Sequence, residues 1–166
     1  GFGPPGLPFP WSPPWARNRS APAPTLSAEA APDLQVLASS IAAGKRHLKL
    51  RLMSRRGAPV ATLLLPASSH PMGVKIDGHS VPADPTDKRG VPRAPLDWQA
   101  YTDLTLPAAG CELEMDLDGT GPIAAFVTDT SSGLPPSATP LLAARSARQT
   151  PIQDGDLTVF SRKVTF

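Results

Sequence analysis

Residues Arg46–Pro66 read RHLKLRLMSRRGAPVATLLLP, and the reading of this stretch decides the fold. Leu48, Leu50 and Leu52 alternate with Lys49 and Arg51, a period of two that places leucines on one face of a strand and charges on the other. After a turn at Met53–Gly57, Val60–Leu65 runs almost wholly apolar, as the returning strand of a hairpin would. Pro59 stands near the start of that return, where a missing N–H is tolerated. A two-stranded hairpin is not stable alone in water, so the leucine face demands cover from further strands.

The rest of the chain carries suitable segments. Cys111, Leu113, Met115 and Leu117 alternate with Glu112, Glu114, Asp116 and Asp118; Gly119-Thr120-Gly121 turns the chain, and Pro122–Asp129 is an apolar return. This repeats the plan of Arg46–Pro66, so the two units are expected to face each other across a leucine core. The arginines of the first then form the wet edge of the domain. Leu34–Ala38 reads as an entering strand and Ser39–Lys45 as a turn or short excursion. Val74–Ile76 leads into Asp77-Gly78, a two-residue hairpin signal, with a return at Val81. Leu96–Leu106 resumes strand character, with alternation at Leu104 and Leu106, and Asp156–Phe166 alternates to the last residue. Pro82–Pro95 reads as a long surface loop. Ser131–Gln153 is irregular, with a short helix near Leu141–Arg145. Roughly eight strands without intervening helices predict an all-β fold, an antiparallel two-sheet sandwich, with a barrel as the alternative.

Residues 1–32 have a different texture. With proline at almost every third position they read as an extended connector, and residues 33–166 as the folded domain. Phe2, Phe9, Trp11 and Trp15 make the connector stickier than a plain linker. They suit packing on a neighbouring domain or contact with a membrane interface, or else recognition by a proline-binding module. Asn18-Arg19-Ser20 matches a glycosylation sequon. The opening glycine leads us to expect a piece of a longer chain or a processed product, and the strand that runs to the last residue a natural C-terminus.

Composition narrows the function. Among 166 residues there are 22 prolines, 13 glycines, 5% aromatics and 18% charged residues, which argues against long helices. A net charge of +2, with basic residues mostly near acids, leaves no electrostatic footprint for nucleic acid. No window reaches the ~18 consecutive apolar residues of a membrane-spanning helix. The single cysteine, Cys111, lies in an alternating strand and is read as a buried structural thiol.

Candidate chemistry is sparse. His47, His70 and His79 lack a second histidine or a cysteine at ligand spacing. Asp77 and His79 are close enough to meet, but two ligands do not make a metal site. Thr130-Ser131-Ser132-Gly133 lacks the first glycine of a nucleophile elbow. The ladder Glu112, Glu114, Asp116, Asp118 is read as a solvated face, able at most to hold a cation weakly. Accordingly no catalytic, cofactor-binding or metal-binding residue is assigned in this segment.

Two further runs carry a resemblance. Phe126-Val127-Thr128-Asp129-Thr130-Ser131-Ser132-Gly133-Leu134-Pro135, followed by Pro151–Arg162, resembles the C-terminal tail of bacterial membrane-anchored metallopeptidases of family 28, the aminopeptidase-like zinc exopeptidases. Leu48–Pro66, with Ser54-Arg55-Arg56-Gly57-Ala58-Pro59, is similar to the earlier part of that tail. The resemblance covers about residues 32–166 and rests on turn-and-strand text, without the family's zinc ligands. It implies a non-catalytic, extracytoplasmic β-rich domain, periplasmic or at the cell surface. The peptidase and membrane domains of the same parent chain would be its partners, zinc would belong to that parent enzyme, and Phe9, Trp11 and Trp15 would lie near the membrane interface. The alternative is a cell-surface or periplasmic module that binds a carbohydrate or a protein.

Overall fold

A computed structural model describes residues 30–82, 97–143 and 156–166. Most of the connector with its aromatics and sequon, the Pro82–Pro95 loop beyond its first residue and most of the region after the short helix lie outside these residues.

Two antiparallel sheets make up the domain, as the sequence predicts. In chain order the strands are β1 (Asp33–Ala42), β2 (Lys45–Met53), β3 (Val60–Pro66), β4 (Met72–Ile76), β5 (His79–Ser80), β6 (Trp98–Asp103), β7 (Cys111–Asp118), β8 (Ala124–Ser132) and β9 (Leu157–Thr165). The first sheet has the order β1-β2-β7-β4-β5 and the second β6-β3-β8-β9. The only α-helix among the described residues is α1, Thr139–Ala143. It starts two residues before the expected position, with Pro140 in its first turn, where no amide donor is required.

Arg46–Pro66 is not a hairpin. β2 pairs with β1 and β7 in one sheet, whereas β3 pairs with β6 and β8 in the other. Ser54–Pro59 therefore carries the chain from one layer to the next, a distance of about 10 Å that a few extended residues span easily. Its echo behaves alike, since β7 and β8 also lie in different sheets. The two units do not face each other across the core. They lie side by side as antiparallel arches, β2 beside β7 and β3 beside β8, and each supplies both walls of the core.

Side-chain alternation explains that arrangement. Leu48, Leu50 and Leu52 of β2 stand beside Met115, Leu113 and Cys111 of β7, and all are buried with Ala61, Leu63, Leu65, Ala125 and Val127 of the facing sheet. At roughly 1.5–3 kcal/mol for each large apolar side chain removed from water, this layer is the main source of stability. Asp77 and Gly78 have φ of 48° and 79°, the paired left-handed conformation of the expected two-residue turn. Two expected strands differ in extent. β1 continues through the predicted excursion to Ala42, and β6 ends at Asp103 before the Leu104–Leu106 alternation.

Candidate functional site

Polar side chains concentrate at the end of the sandwich where β2 leaves its sheet. The Ser54–Gly57 turn lays Arg56 against β8, where its Nε donates to Asp129 Oδ1 at 2.8 Å. Asp129 is wholly buried, and its other oxygen accepts the Ser54 hydroxyl at 2.6 Å. The remaining arginine nitrogens donate to Ser131 Oγ at 2.6 Å and to the Thr158 carbonyl at 3.1 Å. The guanidinium also lies over the Phe160 ring, 5.1 Å from its centroid, a favourable cation–π position. Ser54 Oγ in turn accepts the Ala58 amide at 2.9 Å. One ion pair thus joins the first arch, β8 and β9.

A second knot lies beside it. Asp33 Oδ2 accepts from Arg55 at 2.9 Å and Oδ1 from Arg162 at 3.3 Å. The Arg55 hydrogen bond is the main force holding the Asp33 carboxyl below its ordinary pKa, against a smaller opposing effect of burial. At the other end Arg46, expected on the wet edge, is buried. It donates to the Thr120 and Gly121 carbonyls at 2.6 and 3.0 Å and so braces the second arch. Of the arginines in this stretch, Arg51 alone lies on the outer face of β2, a face rather than an edge because β2 is an inner strand.

On that face each outward residue of β2 from Lys45 to Arg51 stands opposite an acid of β7: Lys45 with Asp118, His47 with Asp116, Lys49 with Glu114, Arg51 with Glu112. Lys49 Nζ lies 2.8 Å from Glu112 and 3.3 Å from Glu114, and Arg51 is 2.7 Å from Glu112. The Glu112 carboxyl is held below its usual pKa, first by Lys49 and then by Arg51. Glu112 and Glu114 are therefore paired with the protein's own cations, and Asp116 and Asp118 are hydrogen-bonded by histidines.

The histidines stay apart. His47 Nδ1 meets Asp116 at 2.8 Å and His70 Nδ1 meets Asp118 at 3.1 Å. His79 is exposed, and Asp77, its sequence neighbour, uses its carboxylate to accept the Glu112 amide at 2.7 Å. Among the described residues no three His, Cys, Asp or Glu side chains gather as a metal set. Cys111 is buried, and burial, with Asp103 and Asp77 nearby, pushes its thiol pKa up to about 12. A shallow depression of about 390 Å³ lies between Pro66, Ser69, Trp98, Asp118 and Ile123.

The joint around Asp129 escapes sequence reasoning because its members are distant in the chain and individually ordinary. An acid closing the apolar run Ile123–Val127 is the one signal that could have marked it. Chemically the joint is closed: no buried side-chain polar atom among the described residues lacks a hydrogen-bond partner. Fold and site together define an antiparallel two-sheet β-sandwich domain with a polar interlock at one end. No protein-family model, curated protein or solved structure gives a significant match to the chain.

Proposed function

We propose that this chain is the non-catalytic β-sandwich domain of a membrane-bound zinc exopeptidase of the aminopeptidase-like family 28, supporting or gating a peptidase domain in the same parent chain. The reading rests on the resemblance, and one observation carries it further. Ser54 and Arg56 from one similar run meet Asp129, Ser131, Thr158 and Phe160 from the other, and in the adjoining cluster Arg55 and Arg162, one from each run, share Asp33. The similar text therefore encodes a joint of the scaffold, which is the role expected of a domain that supports catalysis elsewhere. On this reading zinc is held by the parent's peptidase domain, and the domain stands on the extracytoplasmic side.

The test is the parent gene product. Its region before Gly1 is expected to encode membrane helices and a domain with the histidine, aspartate and glutamate ligands of a two-zinc site. The purified parent is expected to release N-terminal residues from short peptides in a chelator-sensitive reaction, with no such release by residues 1–166 alone. A parent without a peptidase domain, or hydrolysis that persists after its zinc-ligand residues are replaced, overturns the proposal.

A further inference from the structure

Four strands border the two sheets, β1 and β5 in one, β6 and β9 in the other. Exposed edges invite further strand pairing, and proteins usually guard them with charge, proline or brevity. β5 has only two residues, β6 has six and ends in Asp103, and β9 carries Arg162 and Lys163. β1 is different. It runs for ten residues, with neither charge nor proline from Leu34 to Gly44. Val36, Leu37 and Ile41 are 51%, 39% and 56% exposed.

We propose that β1 is a self-association edge, where two copies of the chain pair their Ala38–Ala42 segments antiparallel about a two-fold axis at Ser40, joining their five-stranded sheets. The inference is independent of the peptidase reading. The outer side of β1, unpaired among the described residues, presents alternating N–H and C=O groups, so its complement is an extended polypeptide. Two-fold pairing sets each residue type against its own surroundings, and a charged edge resists it because like charges meet. Lys163 imposes that penalty on β9, whereas Leu34–Ala42 of β1 carries no charge.

Register favours the axis at Ser40. The bulge at Leu37 interrupts the ladder, and beyond it Ala38–Ala42 pairs regularly with Lys45–Lys49. Ser39 and Ile41 share the face of Leu48 and Arg46, whereas Ala38, Ser40 and Ala42 share the outer face of Lys49, His47 and Lys45. With the axis at Ser40, Ser39 meets Ile41 and Ala38 meets Ala42, so every opposed pair lies on one face. Side chains that are small apart from Ile41 allow the ordinary strand spacing of about 4.8 Å. Arg162, joined to the start of β1 through Asp33, is neutralised there. So short a ladder falls below the ~1,200 Å² of stable interfaces, and the dimer is reversible, with a dissociation constant on the order of 100 μM.

Sedimentation velocity on the 166-residue chain between about 10 μM and 1 mM tests this. The mean mass is expected to rise towards that of two copies, with hydrogen-exchange protection of Ala38–Ala42 rising in parallel. Ser40→Lys, an exposed change on the outer face, is expected to weaken association at least about tenfold at low salt with an unchanged thermal midpoint. Mixing the Ser40→Lys and Ser40→Glu variants is expected to restore a mixed dimer. A chain that stays monomeric to about 1 mM, a dimer indifferent to Ser40→Lys, or a monomer whose β1 edge is protected only by a foreign extended peptide overturns the proposal.

Discussion

Asp129 is the buried charge on which the polar interlock depends. Its carboxylate is wholly buried and satisfied by Arg56 and Ser54, so removing either charge strands the other away from water. Asp129→Ala is expected to lower unfolding free energy by about 3–5 kcal/mol, measured by urea denaturation. Ser54→Ala, which deletes a hydroxyl serving both Asp129 and the Ala58 amide, is expected to cost about 1–3 kcal/mol. Cys111 makes a contrasting case. A thiol pKa pushed up to about 12 and a buried position predict almost no reaction with a thiol reagent at pH 8 in the native state, and full reaction in urea. Asp33 governs acid behaviour. Because its folded pKa lies below the ordinary 3.8, its contribution is fully present above that value and is lost as pH falls through the folded pKa. Asp33→Asn is therefore expected to be less stable than the parent at neutral pH and to flatten the loss of stability below about pH 4. Gly110 has φ of +81°, and a Cβ there would collide with the Leu52 carbonyl oxygen and Met53 Cγ. Glycine is thus required both for its conformation and for the close approach of β7 to β2.

For single elements, a period of two reveals which residues share a face but not which strand lies alongside. That is why the faces of β2 and β7 were legible and the step from β2 to the other sheet was not: Ser54–Pro59 suits a tight return or a step between layers equally well. Leu50→Asp is expected to abolish folding, read as loss of cooperative thermal unfolding, because the residue lies at the buried centre of β2. Arg51→Gln is expected to change stability by less than about 1 kcal/mol, since the pair with Glu112 is open to water. The Leu104–Leu106 pattern misled for a local reason. Asp103 Oδ1 accepts the Thr105 amide at 2.8 Å and turns the backbone out of β6, leaving Leu104 72% exposed. Ser39–Ala42 misled in the other direction, because small residues that read as a turn are also those an edge strand accommodates.

Across the whole molecule, the two outer faces differ. That of the first sheet is a row of opposed polar and charged side chains, whereas in the second sheet Leu64 and Thr128 are buried although they point away from the core. The nearly continuous apolar text of β3 fits this second face, since a strand covered on both sides has no reason to alternate. The polar interlock was not announced, because Arg56 and Asp129 lie 73 residues apart. The two arches also set how the chain must fold. Each passes directly from one layer to the other, so the central pairings, such as Leu50 with Leu113 and Leu63 with Val127, all join distant parts of the chain. Neither sheet can be completed and left waiting for the other. Loop closure must come before most of the contacts that reward it, which places refolding in the range of roughly milliseconds to seconds. The nascent chain gains its core only after β8 has been synthesised.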